Sequence, residues 1–273
     1  MNKPPDTPEI LLIENKTEKP DALCALRKCG ILSSGNEVIS MDIRLYYREK
    51  GSGKPLILLH GNGEDGSYFE SQIEQFSGKY RVIALDTRGH GRSPQGTAPF
   101  TIAQFSCDLF DFMTEQGIPA AVILGFSDGA NIAMEFALRH PGMVSALILN
   151  GGNLDPSGVK RSAQLPIEIG YRIASRFAVK SPDAKKNAEM LGLMVNEPNI
   201  KPAELARITA PTLVICGTND MIKRPHTELI ARSIPNSRLV FIKGDHFIAN
   251  RRPTAFNEAV EAFLRDTVYP PKS

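Results

Sequence analysis

Val122-Ile123-Leu124-Gly125-Phe126-Ser127-Asp128-Gly129 is the stretch of sequence that decides the fold. An apolar run typical of a buried β-strand leads into the pattern G-x-S-x-G, and a helix-like pattern follows over residues 132–139. A serine between two glycines at a strand-to-helix turn is the setting of a nucleophile elbow, in which the serine hydroxyl stands out beyond the end of the strand. The glycines let strand and helix approach without a Cβ clash. The stretch therefore predicts a reactive Ser127.

Short apolar runs recur on both sides of this elbow. They cover residues 56–59, 82–85, 122–124, 146–149, 213–216 and 239–242. Such continuous runs are typical of strands buried on both faces of a parallel sheet. Helical patterns lie between them, including 101–116, with Thr101 as N-cap, and 253–267. The alternation predicts an α/β fold with a doubly wound, mostly parallel sheet, preceded by a hairpin of strands 38–41 and 43–48.

One interval breaks this rhythm. Residues 155–207 contain helical patterns around 167–178 and 184–195 but no strand-like run, and a crossover helix needs far fewer residues. We expect an inserted helical cap there, because loops of this length without structure are rare. The predicted organisation is an N-terminal leader at 1–34, a core formed by 35–154 and 208–273, and the cap at 155–207.

The bulk properties exclude several classes of function. The chain has 273 residues and a net charge of only +2, which gives no electrostatic argument for a nucleic-acid or membrane partner. Its four cysteines form no C-x-x-C pair, so no zinc site is indicated. The first apolar cluster, residues 10–13, is too short for a signal sequence, and no run has the length of a membrane span. We therefore expect a cytoplasmic protein.

A serine hydroxyl needs a base to act as a nucleophile, and the base needs a partner that orients it. Downstream of Ser127, the run 213–216 ends in Gly-Thr-Asn-Asp220, and the run 239–242 ends in Lys-Gly-Asp-His246. Parallel strands present their carboxyl ends at one edge, where ligands bind in open α/β sheets. The sequence thus predicts His246 as base and Asp220 as orienting acid. Asp245 is the weaker rival, because neighbours in an extended loop seldom face each other.

The transition state of acyl transfer also needs donors to an oxyanion. The backbone N–H of Asp128 follows the nucleophile at a helix N-terminus, which favours negative charge. The loop after the run 56–59 reads His60-Gly61-Asn62-Gly63, and the backbone N–H of Asn62 is the predicted second donor, with Gly63 as the substitute. The other histidines, at positions 60, 90, 140 and 226, fit structural or solvated roles.

Together these motifs resemble the α/β-hydrolase superfamily over residues 37–268. The marks are His60-Gly61-Asn62-Gly63, the segment from Asp86 to Ser93, the elbow, Gly217-Thr218-Asn219-Asp220 and Gly244-Asp245-His246-Phe247. Within it, the chain looks like the small esterase, lactonase and cofactor-free haloperoxidase group. Phe-Ser-Asp-Gly is similar to the elbow of valacyclovir hydrolase-like enzymes, and this resemblance implies that Asp128 receives a substrate amino group. Ala130 departs from the Gly-Gly pair of that family.

The resulting hypothesis is a hydrolase of small carboxylic esters or related acyl compounds that forms an acyl-enzyme on Ser127 and uses neither a metal nor an organic cofactor. A lactonase, an aminoacyl-ester hydrolase and a haloperoxidase or perhydrolase remain open within this mechanism. Two alternatives belong to other classes. One is a non-catalytic ligand-binding protein. The other is an NAD(P)-dependent oxidoreductase, because Gly61-Asn62-Gly63-Glu64-Asp65-Gly66 matches G-x-G-x-x-G, although its two carboxylates would repel a pyrophosphate.

Overall fold

The computed structural model describes residues 42–267, and a seven-stranded sheet forms their centre. The strands are β1 (Tyr47–Lys50), β2 (Lys54–Leu59), β3 (Tyr80–Leu85), β4 (Ala121–Phe126), β5 (Val144–Asn150), β6 (Thr212–Gly217) and β7 (Ser237–Ile242). Their order in the sheet is β1-β3-β2-β4-β5-β6-β7. β1 pairs antiparallel with β3, and all other pairs are parallel. The predicted α/β fold with a mostly parallel sheet is confirmed.

Helices connect the strands. They are α1 (Glu70–Phe76), α2 (Ile102–Glu115), α3 (Asp128–Arg139), α4 (Arg161–Phe177), α5 (Pro182–Asn196), α6 (Arg224–Ser233), α7 (Ile248–Arg251) and α8 (Pro253–Thr267). As expected, Thr101 caps α2, its side-chain oxygen accepting the N–H of Gln104 at 3.1 Å. Within residues 42–267, no helix combines the length and the apolarity that a membrane crossing requires.

The core lies on both faces of the sheet. On one face, Ile57 and Leu59 pack with buried side chains of α2, α3 and α6. On the other face, their neighbours Leu56 and Leu58 pack with side chains of α1 and α8. This two-sided burial explains why the strands read as continuous apolar runs. Each fully buried aliphatic side chain stabilises the fold by about 1.5–3 kcal/mol, so the sheet is a rigid base for the loops at its edge.

A buried ion pair fixes the loop that follows β3. The guanidinium of Arg88 is fully buried and binds both carboxylate oxygens of Asp108 on α2, at 2.6 and 2.7 Å. A third nitrogen donates to Asp42 at 2.5 Å and to the carbonyl of Gln95 at 2.7 Å. Because a buried charge is costly unless all its donors are used, this arrangement fastens the loop to α2 and to the first described residues.

The first strand begins later than the sequence predicts. Strand β1 is Tyr47–Lys50, not 43–48. The residues before it bind the loop after β3 instead: the N–H of Tyr46 donates to Ser93 Oγ at 2.8 Å, and Asp42 accepts the N–H of Thr97 at 3.0 Å. The prediction of a strand over residues 43–46 is therefore wrong. The predicted partner strand at 38–41 and the leader at 1–34 lie outside the described residues.

The interval 155–207 is helical, as the sequence predicts. It holds α4, α5 and two short 3₁₀ turns, Pro156–Gly158 and Pro202–Arg207, between β5 and β6. The side-chain amide of Gln164 on α4 donates to the carbonyl of Met194 on α5 at 3.1 Å, which links the two helices. The assignment of this interval as a cap insertion remains a prediction.

Candidate active site

The elbow lies between β4 and α3. Ser127 is the only non-glycine residue with positive φ between residues 42 and 267, at φ 53° and ψ −119°. A Cβ on Gly125 would clash with the carbonyl of Gly129, and one on Gly129 would clash with the carbonyl of Leu59. Only glycine allows strand and helix to come this close. The sequence thus produces a sharp, strained turn that presents the Ser127 side chain at the edge of the sheet.

Two further loops at the same edge bring a histidine and an aspartate to this serine. The Oγ of Ser127 is 3.0 Å from Nε2 of His246, which follows β7. The Nδ1 of His246 is 2.7 Å from Oδ1 of Asp220, which follows β6. In the matching tautomer, Ser127 donates to Nε2, and Nδ1–H donates to the carboxylate. The three predicted side chains therefore form one continuous hydrogen-bonded chain.

This chain is largely removed from solvent. Asp220 is 2% exposed and His246 is 5% exposed. Burial opposes ionisation of Asp220, but the hydrogen bond and charge of His246, with the N–H of Ile222 at 2.9 Å, lower the pKa of the carboxyl below its ordinary value. An ionised Asp220 is suited to hold the imidazole and to stabilise its protonated form.

The two predicted oxyanion donors are unengaged. In the described part of the chain, the backbone N–H groups of Asn62 and Asp128 donate to no acceptor. Asp128 begins α3, where the helix dipole favours negative charge. The side-chain amide of Asn62 donates to the carbonyl of Met190 on α5 at 2.7 Å, and it also lies close enough to the Asp128 carboxylate to act on its pKa. The loop after β2 is thereby bound to the 155–207 interval.

The Asp128 side chain lies in a buried polar network. Its Oδ1 accepts from Asn131 at 3.2 Å, and Asn131 in turn donates to Asn153 at 3.1 Å. Its Oδ2 is buried and has no hydrogen-bond partner among the described residues. Burial raises the pKa of Asp128 to about 6, although hydrogen bonds from Asn62 and Asn131 oppose the shift. A buried carboxylate oxygen without a hydrogen-bond partner is unusual in a folded protein.

Glu64 lies near His246, and the sequence pattern did not predict this proximity. The sequence analysis considered Glu64 only as a carboxylate that would repel a bound pyrophosphate. Its carboxylate accepts the N–H of Gly61 at 3.2 Å. Burial raises the pKa of Glu64 to about 7, and the charge of His246 works in the opposite direction. A carboxyl between two glycines in the loop after β2 was visible in the sequence, but its proximity to His246 depends on how two distant loops meet.

The competing candidates have other partners. Asp245 forms an ion pair with Arg251 and accepts the N–H of Phe247 at 3.0 Å, so it does not serve His246. His60 accepts the N–H of Thr87 at 3.0 Å, and His226 accepts that of Leu154 at 2.9 Å. His90 and His140 are buried, and burial lowers the pKa of each to about 4. Burial lowers the pKa of all four histidines and so favours their neutral form, which fits structural roles.

In the glycine-rich loop after β2, backbone N–H groups already donate to carboxylates of this chain. The N–H of Gly61 donates to Glu64, and the N–H of Gly66 donates to Asp86 at 2.8 Å. Asp86 also accepts the N–H of Arg92 at 2.8 Å. The N–H groups and the acidic side chain that a dinucleotide would require are thus used internally. Between residues 42 and 267, no cluster of three or more His, Cys, Asp or Glu side chains could hold a metal ion.

Comparison with known proteins shows which proteins this chain is similar to. Residues 54–172 match the family model described as alpha/beta hydrolase fold. The chain is 28% identical to 3-oxoadipate enol-lactonase 2 of Acinetobacter baylyi, covering 83% of this chain and 95% of that protein. It is 26% identical to the serine hydrolase BPHL of Homo sapiens, covering 86% and 88%.

Solved structures agree with this result. A thermophilic esterase from Thermogutta terrifontis superposes with a TM-score of 0.69 at 25% identity, covering 82% of this chain and 94% of that one. A hydrolase from Pseudomonas aeruginosa superposes with a TM-score of 0.67 at 25% identity, covering 85% and 99%. This chain is therefore similar in fold to both proteins over most of their length.

Proposed function

We propose that this chain is a serine hydrolase of the α/β-hydrolase family, a proposal that its fold and the match of residues 54–172 to the family model support. It cleaves a small carboxylic ester or a related acyl compound, such as a lactone, through an acyl-enzyme on Ser127. The observation that carries the proposal is the hydrogen-bonded chain from Ser127 Oγ through His246 to Asp220, with contacts of 3.0 and 2.7 Å.

The mechanism follows from the positions of these atoms. Ser127 Oγ attacks the substrate carbonyl while Nε2 of His246 takes the hydroxyl proton. Asp220 holds Nδ1–H and stabilises the imidazolium. The N–H groups of Asn62 and Asp128 donate to the carbonyl oxygen, on which negative charge develops. His246 then protonates the leaving alcohol, and afterwards it takes a proton from the water that releases the acid and regenerates Ser127.

The test combines covalent labelling with matched variants. We expect a fluorophosphonate probe to modify Ser127 in the folded protein, and hydrolysis of a short aryl ester to disappear in Ser127→Ala. Asp220→Asn forces the wrong histidine tautomer and should lower kcat about ten-thousand-fold, as in other triads. Asp245→Asn is the control: it changes the neighbouring carboxylate and should leave kcat within a factor of about three. Equal losses in both aspartate variants would refute the assignment of the acid.

A second candidate substrate class has one observation in its favour. The buried Oδ2 of Asp128 has no partner among the described residues, and a substrate ammonium group would satisfy it. This supports an aminoacyl ester as substrate. Asp128→Asn retains the shape and the acceptor for Asn131 but loses the charge. We expect it to lower kcat/KM for aminoacyl esters at least about tenfold more than for neutral esters of equal size; parallel losses would remove the aminoacyl class.

A further inference from the structure

Helix α4 exposes a ridge of large apolar side chains. Leu165, Ile169, Ile173 and Phe177 follow one another at intervals of four residues and are each 43–55% exposed; we call them the α4 ridge. At 1.5 Å per residue the ridge is about 18 Å long. Val179, just beyond the helix, is 94% exposed. A contiguous apolar strip of this kind marks an interaction surface, whereas single exposed apolar residues do not.

Basic side chains accompany the ridge on the same helix face. Arg172 and Arg176 are exposed and project within roughly 60° of Leu165 and Ile169 around the helix axis, given 3.6 residues per turn. Neither arginine has an ion-pair partner within residues 42–267. Lys180 is placed over the ring of Phe177, 4.6 Å from its centre. The ridge thus carries a basic rim, which we define as Arg172, Arg176 and Lys180.

The charge is concentrated in this segment. Residues 161–189 contain six basic and three acidic side chains, a net charge of +3, whereas the whole chain has a net charge of +2. Two of the acids are paired, Glu168 with Arg161 and Glu189 with Lys185, which leaves Arg172 and Arg176 on α4 without an acidic partner among the described residues. The small net charge of the whole chain gives no argument for a membrane partner, but this segment carries a local excess of positive charge. The exposed face of α4 combines apolar bulk with unneutralised positive charge.

We propose that the α4 ridge and its basic rim dock on the surface of an anionic lipid bilayer. A helix with an apolar strip and basic residues beside it lies in the plane of the lipid headgroups, with the apolar side chains below and the arginines at the phosphates. A second copy of the chain is a poorer occupant, because antiparallel pairing of two ridges would bring two basic rims together without acidic partners. The proposal is independent of the hydrolase assignment.

Co-sedimentation with vesicles tests the proposal on the full chain. We expect binding to vesicles of equal parts phosphatidylcholine and phosphatidylglycerol, and much weaker binding to phosphatidylcholine alone. Ile169→Ser with Ile173→Ser should abolish detectable binding. Arg172→Glu with Arg176→Glu should weaken binding roughly tenfold or more, since each basic residue near an anionic surface adds to the attraction.

Matched controls separate this surface from general stickiness. Leu239→Ser on β7 removes another large apolar side chain, 37% exposed, and Arg232→Glu on α6 reverses another exposed basic residue. Both should bind like the parent chain. Circular dichroism and thermal unfolding check that every variant is folded. Failure of the parent chain to bind, undiminished binding by the ridge variant, or equal losses in the controls would each overturn the proposal. The proposal would also be overturned if the chain does not bind vesicles but forms a dimer without lipid, detected by sedimentation velocity, that Ile169→Ser abolishes.

Discussion

The strained backbone at Ser127 predicts an unusual order of stabilities for two inactive variants. Ser127→Ala and Ser127→Gly both lack the hydroxyl, so they differ in backbone freedom and in one Cβ. At φ 53° and ψ −119° any residue with a Cβ is strained, and such strain costs about 1–3 kcal/mol. Glycine removes that strain. We therefore expect the glycine variant to be the more stable of the two, contrary to the usual ranking.

The magnitude follows from two opposing contributions. Relief of strain contributes about 2 kcal/mol, the middle of the range for such conformations. The greater freedom of an unfolded chain with glycine offsets about 0.5–1 kcal/mol of this. The net expectation is that Ser127→Gly unfolds with a free energy about 1 kcal/mol higher than Ser127→Ala. For a chain of this size that difference corresponds to a Tm about 2–4 °C higher.

Urea unfolding of the two variants measures the difference, with equal m-values as the sign that the denatured states are comparable. The control pair is Ser175→Ala and Ser175→Gly, at an exposed position inside α4, where glycine should be less stable by about 1 kcal/mol. The reasoning is refuted if glycine is the less stable variant at position 127 by the same margin as at position 175, because the turn would then store no strain.

Three further predictions concern stability, pH and reactivity. Asp108→Asn breaks the buried ion pair of Arg88 and should lower the free energy of unfolding in urea by about 3 kcal/mol. The control Glu228→Gln, at a surface ion pair, should lower it by less than about 1 kcal/mol. Similar losses in both variants would show that the buried pair has no special role in stability. Burial raises the pKa of Glu64 from 4.5 to about 7, so the folded chain loses stability as pH rises through that window. The stability advantage of Glu64→Gln should therefore grow between these two pH values and then level off; a difference independent of pH would disprove it. Finally, burial raises the pKa of the Cys216 thiol above its ordinary value, so iodoacetamide at about pH 8 should leave Cys216 unmodified in the folded chain, as peptide mass spectrometry will show.

The sheet was predictable because burial on both faces leaves a simple signature. All six apolar runs are strands in the structure, and each strand extends one or two residues beyond its run at one or both ends. The prediction for 43–48 was wrong for a physical reason: Tyr46 and Asp42 bind a loop that follows β3, and no local pattern reports a partner 47 or 55 residues away.

The three residues of the hydrogen-bonded chain were predictable from the G-x-S-x-G motif and from the positions of an aspartate and a histidine after later strands. Each follows a parallel strand, and parallel strands present their carboxyl ends at a common edge. The surroundings were not predictable in this way. The proximity of Glu64 to His246, and the network from Asp128 through Asn131 to Asn153, depend on side chains from separate loops. The α4 ridge needed the structure as well, because the helical pattern of 167–178 does not say which face is covered.

The hydrogen bond from Asn62 to the carbonyl of Met190 has a consequence for how such a protein diversifies. The loop that supplies the proposed oxyanion donor is bound to α5, which lies in the segment that connects β5 and β6, and connecting segments vary more than the strands that they join. A substitution in α5 that moves the carbonyl of Met190 would therefore also act on the loop that carries the proposed donor. Under the proposed function, substitutions at Asn62 and along α5 should therefore have coupled rather than independent effects on turnover.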